Sequence, residues 1–336
     1  MHKSKIILLH LSPLYPKIIK LNTIVMKKII IVLASLVLFA GVASAQDMAQ
    51  ATETYNSGAA ALSEGNKAEA LELFLKALKE GEACGEDGAE LVGNCKEIIP
   101  TIKLSIAKDY IKDEQSDAAL VALDEAIAAG KEYGSDETVA EAEELIPQVK
   151  MQKATNLLQA KDFAGAAAAY KEILESDPAN GVAALRLGMA LNQSGDKEGA
   201  IAAFETAAAN GQESTANKQI GNIYLKQGSS LLKAKKYAEA AENAVKATEY
   251  VDNAQAYLIA GQAYQQSGKS KDAIEYFKKY LEKAPSAKNS GAITFTVAAL
   301  YQQLGDKTNA LEYFNKVAAD PQFGAQAKQQ IEALKK

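Results

Sequence analysis

The chain has 336 residues, room for one long repeat array or two ordinary domains, and 48% of them are hydrophobic. Alanine contributes most to that share, with no Trp and 7 Pro, a composition that favours long, closely packed helices. The formal charge is -5 and becomes -11 without residues 1–45, which hold six Lys and no acids; so acidic a chain, with Arg186 its one arginine, is a poor partner for nucleic acid, phosphate or anionic lipid.

The first element is not part of the fold. Met26-Lys27-Lys28 is followed by an apolar run from Ile29 to Ala40 and then by Gly41-Val42-Ala43-Ser44-Ala45. A basic start, an apolar stretch and a small-residue site make the layout of a secretory signal peptide over 26–45, with cleavage after Ala45. The apolar run falls short of the roughly 20 residues of a comfortable span, an uncleaved anchor being the alternative. No Cys follows the site, which argues against lipid attachment. Residues 1–25 are then an extra leader, either from a start site upstream of the true Met26 or as a long basic region. The expected location is periplasmic or secreted, with membrane contact only through the signal segment if it is uncleaved.

From Ala51 onward one pattern recurs. It is plainest in Leu187-Gly188, Leu191, Gly195, Ala200, Phe204 and again in Ala260-Gly261, Tyr264, Gly268, Ala273, Phe277, Pro285. In chain order, a small residue falls at Gly58, Ala107, Ala154, Gly188, Gly228, Gly261 and Ala298. Twelve residues later comes Ala70, Ala119, Ala166, Ala200, Ala240, Ala273 or Ala310, and four beyond that Phe74, Leu123, Tyr170, Phe204, Ala244, Phe277 or Phe314. The pattern resembles that of the tetratricopeptide repeat (TPR) family, with small residues at repeat positions 8 and 20 and a large one at 24. The resemblance covers nearly all of 46–336 and implies an all-α solenoid of helical hairpins, each with a helix A and a helix B, in a right-handed superhelix. Copies fall at about 51–84, 100–133, 147–180, 181–214, 221–254, 254–287 and 291–324, with a capping helix at 325–336.

The spacing argument is physical. Small residues at positions 8 and 20 let two backbones approach closely, and the large residue fills the seam. Gly195, Gly268 and Gly305 suit the turn between helices. A single hairpin cannot bury its apolar face, so neighbours must stack. The alanines at position 20 are 49, 47, 34, 40, 33 and 37 residues apart, so the first two gaps carry extra residues. Segments 87–99 and 136–146 are read as additional helical turns ahead of helix A, separate or joined by a kink, with Pro100 and Pro147 at the start of helix A.

Little in the chain points to catalysis. Both histidines, His2 and His10, precede Met26, which removes the commonest general base and zinc ligand from the remainder. Glu141, Glu143 and Glu144 read as a solvated helix face rather than paired catalytic carboxylates. No enzyme activity, metal or cofactor is expected. Cys84 and Cys95, the two thiols, are expected to form a structural disulfide in an exported protein, two buried free thiols being the alternative; without Cys-x-x-Cys, a redox pair is the weakest reading.

The family resemblance implies that helix A positions 2, 5, 9, 12 and 13 line the inner face. Those positions include Met151, Thr155, Leu185, Met189, Asn192, Gln193, Leu225, Leu258, Gln262, Gln265, Gln266, Phe295 and Gln302, a lining rich in amides with apolar points. It implies a protein or peptide partner held by amide hydrogen bonds and apolar anchors. The plainer alternative makes the leucines inter-repeat core and the glutamines solvated surface. Competing functions are self-association into a homo-oligomeric envelope component and, with no Trp to stack on sugars, glycan capture.

Overall fold

The computed structural model describes residues 44–335. The leader and signal segments lie outside the described residues, apart from Ser44 and Ala45, where the first helix begins. The described residues are all-α. The odd-numbered helices are the A members: α1 (Ser44–Ser63), α3 (Ala89–Lys112), α5 (Asp136–Gln159), α7 (Gly181–Ser194), α9 (Glu213–Lys233), α11 (Ala254–Gln266) and α13 (Ser290–Gln303). The even-numbered helices are the B members: α2 (Lys67–Ala83), α4 (Ser116–Tyr133), α6 (Phe163–Ser176), α8 (Lys197–Ala207), α10 (Tyr237–Tyr250), α12 (Ser270–Lys283) and α14 (Lys307–Lys316). A last helix, α15 (Gly324–Lys335), takes the capping place foreseen at 325–336. The chain divides into two compact units, one ending at Lys153 and the other starting at Ala154, a boundary inside α5.

The repeat frame reappears as packing. Side chains at position 24 are fully enclosed: Phe74, Leu123, Tyr170, Phe204, Ala244, Phe277 and Phe314 have no accessible surface. Position 8 must be small because the aromatic ring lies directly opposite. A Cβ on Gly188 would sit 2.6 Å from Phe204, and one on Gly261 2.5 Å from Phe277. The fifth copy, with Ala244 in place of an aromatic, closes up instead: a Cβ on Gly228 would meet the Ala240 carbonyl at 3.2 Å. Helices without a ring between them approach until backbone meets backbone.

Position 15 turns the chain from helix A to helix B through the left-handed region. Gly195, Gly268 and Gly305 do so with φ of 98°, 74° and 77°. So do Glu114, Lys161 and Lys235, at 58°, 63° and 59°. Several B helices are then started by an Asp: Asp162, Asp196 and Asp306 accept from the backbone N–H of Gly165, Gly199 and Asn309 at 2.9, 2.8 and 3.1 Å.

The extra residues of the first two gaps extend helix A without a break. Segments 87–99 and 136–146 contribute the opening turns of α3 and α5, each 24 residues long. The prolines do not begin a helix as expected but stand at its twelfth residue. Each removes a backbone donor and crowds the preceding turn. The residue after each proline donates from its side chain to the carbonyl one turn back, Thr101 Oγ1 to Glu97 at 3.3 Å and Gln148 Nε2 to Glu144 at 3.2 Å, next to the Lys96 and Glu143 carbonyls that lose their helical donor. The added turns of α3 lie against the end of α2, where Gly88 meets Gly81 so closely that a Cβ on Gly88 would be 2.0 Å from the Gly81 carbonyl. The 40-residue gap between Ala200 and Ala240 is absorbed differently, by a helical turn at Ala208–Gln212 in which Gly211 takes φ 84°.

Candidate docking surface on the second unit

Within the second unit, α9 touches α11 as well as its own B helix. The remaining accessible side chains of the A helices form a row across α7, α9, α11 and α13. Leu185 and Met189 are half-buried on α7, with Gln193 exposed one turn on; Gln262 and Gln265 are half-buried on α11, and Gln266 is exposed. No hydrogen bond is made by the side chains of these glutamines among the described residues.

Other expected lining residues are already engaged. Leu258 is only 8% exposed and belongs to the cluster of Ala273, Ile274 and Phe277, so it is core and not lining. Leu225 packs against Ala244, Ile259 and Ala260 of its neighbours. Phe295 sits 5.2 Å from the Phe314 ring and 5.7 Å from Phe323, an internal aromatic group rather than a free anchor. Gln302 Nε2 donates to Gln330 Oε1 of the last helix at 3.1 Å. Asn192 accepts Lys197 Nζ through both its carbonyl and its Oδ1, each at 2.7 Å. Met151 is half-buried on the part of α5 that belongs to the first unit. A helix A residue at position 5 faces both the row and the next hairpin, and large apolar side chains take the second option because it buries more surface.

Thr155 marks one end of the row. Its hydroxyl lies 3.2 Å from Tyr170 Oη and accepts from Arg186 Nη1. Arg186, which sequence reasoning did not place in the lining, is thereby held half-buried between α5 and α7. The signal that could have found it is its position: it lies between positions 2 and 9 on the same stripe of helix. Val182, one turn before it, is 42% exposed. A cleft of about 770 Å³ lies beside the start of α9, lined by Asn217, Asn222, Tyr250, Asp252 and Asn253 among others.

The B helices carry a different chemistry. Lys246, Lys279 and Lys316 each pair with a glutamate four residues earlier, at 3.1, 2.8 and 2.7 Å. Each also lies over a tyrosine ring, Tyr224, Tyr276 and Tyr313. The hydrogen bond from each lysine to its glutamate is the main cause holding these ammonium groups above the ordinary lysine range. In the Lys279 and Lys316 groups all three residues lie on one B helix, whereas Tyr224 belongs to α9.

Two sequence expectations are settled elsewhere in the molecule. Cys84 and Cys95 are free thiols, so the expected disulfide is not formed. Gly88 packs level with Gly81, and Cys95 lies seven helical residues further along α3, about 10 Å at the helical rise. A bridge needs Cα atoms closer than about 7 Å. Cys84 Sγ donates instead to the Glu80 carbonyl at 3.3 Å, while Cys95 is fully enclosed and burial pushes its thiol up to about 12. Two glutamates of α5 are ion-pair partners, Glu141 with Lys108 at 2.7 Å and Glu143 with Lys131 at 3.5 Å.

Comparison with known proteins bears on the second unit above all. Models of the tetratricopeptide repeat match residues 151–215, 225–288 and 295–319. No curated protein matches the chain. Similar solved structures include a MamA crystal structure, 24% identical over 52% of this chain and 96% of its own, TM-score 0.30. MamA of Desulfovibrio magneticus RS-1, from residue 41 to its end, is 20% identical over 52% and 93%, TM-score 0.31. YrrB, described as a TPR protein with an unusual peptide-binding site, is 20% identical over 54% and 91%, TM-score 0.30.

Proposed function

Because the chain belongs to the tetratricopeptide-repeat family, we propose that it is a non-catalytic scaffold that docks a protein or peptide segment along the helix A row of its second unit. One observation carries this reading. Met189 and Gln193 on α7 and Gln262, Gln265 and Gln266 on α11 stand accessible, while similar side chains nearby, Asn192 and Gln302, are tied up in the fold. Free amides at regular spacing can pair with the N–H and C=O groups of an extended chain, and a methionine among them adapts to varied apolar side chains.

The docking test is positional. With a photo-crosslinking amino acid in place of Gln262, partner adducts are expected in intact cells; with the same group in place of Lys278, exposed on helix B, none are. Equal adducts at both places would remove the row from the account. Replacing Met189 and Gln193 together by acidic residues is the complementary variant. It should abolish capture while helicity by circular dichroism stays unchanged.

The proposed location is the periplasm or the exterior, supported by the Met26–Ala45 layout. N-terminal sequencing of the mature protein should begin at Gln46. Self-association through the C-terminal end gains no support, since Gln326, Lys328, Gln329 and Glu332 give α15 an exposed polar face.

A further inference from the structure

The fifth copy departs from the repeat, and its extra residues build a wall. Ala200 and Ala240 are 40 residues apart, against 34 and 33 for the intervals on either side. The surplus goes into the turn at Ala208–Gln212 and into added opening turns of α9, which starts at Glu213, ahead of the copy's own start at Gly221. Gly221 in turn abuts the link between α10 and α11: a Cβ on it would lie 2.5 Å from the Val251 side chain. The cleft of about 770 Å³ opens between the added turns and that link. A copy of regular length would lack one side of it.

The walls are polar and mostly neutral. The added turns supply Ser214 and Asn217, and Asn222 follows on the same helix. The side chains of these three make no hydrogen bond among the described residues. Across the cleft, Asn253 gives its Oδ1 to the Gln255 N–H at 2.8 Å and keeps its amide donors. Tyr250 is fixed in place, its ring stacked on Tyr224 at 5.9 Å and its hydroxyl donating to Glu205 Oε1 at 3.2 Å. The charges are closed off. Asp252 accepts from Tyr257 Oη at 3.2 Å through one oxygen and from Lys283 Nζ through the other. Glu213 and Lys218, both exposed, oppose each other in sign.

We propose that this cleft is a second site, separate from the helix A row, and that it takes a short neutral oligosaccharide. A sugar hydroxyl both donates and accepts, as do the Ser214 hydroxyl and the amides of Asn217 and Asn222. Tyr250 adds an amphipathic surface for the apolar face of a sugar ring. An anionic ligand would face Glu213 and Asp252. A peptide would find no apolar pocket, since Val251 and Ala254 are the aliphatic lining residues and Val251 is packed on Gly221. The volume lies within the roughly 300–1,000 Å³ of small-ligand sites.

An array of trisaccharides tests this: neutral ones of glucose, galactose, mannose and N-acetylglucosamine, with uronic-acid trisaccharides beside them, all probed with the full chain. At least one neutral trisaccharide should be retained. Titrating it into the wild type should shift the side-chain amide signals of Asn217 and Asn222 in nitrogen-15 NMR spectra. The Asn217→Ala, Asn222→Ala double variant should bind it about tenfold more weakly, the scale of two lost hydrogen bonds, with unchanged circular dichroism. Gln262→Ala, on the row, should bind it as the wild type does. Retention of no trisaccharide, retention of the uronic acids alone, or equal binding by the double variant would overturn the site. Each of those results leaves docking along the row standing, because the two sites share no residue.

Discussion

In the first unit lysines reach from one helix to another: Lys67 on α2 to Asp109 on α3, Lys103 on α3 to Glu125 on α4 at 2.8 Å, and Lys108 on α3 to Glu141 on α5 at 2.7 Å. In the second unit lysines mostly pair along their own B helix, as in Lys246–Glu242 and Lys279–Glu275. The surplus differs as well. Residues 46–153 carry 10 Lys against 23 Asp and Glu, a net of -13, whereas 154–336 come to +2. The A helices of the first unit are long, carry a mid-helix proline in two cases and use their charges to hold hairpins together. Those of the second, the 21-residue α9 apart, are 13 or 14 residues long and leave part of their polar side chains uncommitted. The same repeat frame is thus used once to bind itself and once to leave a row open.

Substitutions can break that comparison. The largest effect is expected from Phe277→Ala, which empties a fully buried position and should cost the second unit about 4 kcal/mol. Hydrogen exchange resolved by helix should show α11 to α14 opening while α1 to α4 keep their protection. Gly188→Val forces a side chain into the Phe204 ring and should cost about 2 kcal/mol. Gly58→Ala in the first unit, where the nearest contact is 3.2 Å, should cost well under 1 kcal/mol. Equal thermal shifts for Gly188→Ala and Gly58→Ala would show that position 8 is no tighter at Gly188 than at Gly58.

Smaller effects sharpen the contrast. Lys108→Met should lower the stability of the first unit by about 1 kcal/mol, an effect that shrinks with added salt. Lys279→Met, exposed on helix B, should be near neutral by the same denaturant titration. Glycine in place of Glu114, Lys161 or Lys235 should raise stability by about 0.5–1 kcal/mol each, since these residues now hold a left-handed backbone.

The smallest effect is on acid stability. Hydrogen bonds from the Asn309 side chain and backbone hold the Asp306 carboxyl below the usual carboxylate range. Its contribution is therefore full above the unfolded value of about 4 and fades as pH falls through the lowered folded value. Asp306→Asn should flatten that acid limb of the melting curve.

Much of the fold was legible because it rests on residue size at fixed intervals. Ala200 and Phe204, or Ala273 and Phe277, report helix packing directly, since no other side chains fit the space. The left-handed turns at Glu114, Lys161 and Lys235 were not legible, because neighbouring hairpins impose a backbone those residues would not choose alone. Pro100 and Pro147 misled for a related reason: a proline signals a helix start only when nothing upstream extends the helix, and here α2 and α4 supply a packing surface for extra turns. In the candidate row, Gln193, Gln262 and Gln266 could be read from position alone. Leu258 and Phe295 could not, since a helix A residue that points to the row also borders the next hairpin. Arg186 could not be placed from position alone, because its orientation comes from a hydrogen bond to Thr155 of a neighbouring A helix.

The position 15 turns carry a practical consequence. Gly268 and Gly305 close their hairpins by local hydrogen bonds just as Lys235 does, so each such hairpin is a self-finished module. Copying α9 and α10 in tandem would add one more closed hairpin to the array. Reach for a longer ligand could thus grow by duplication, one module at a time.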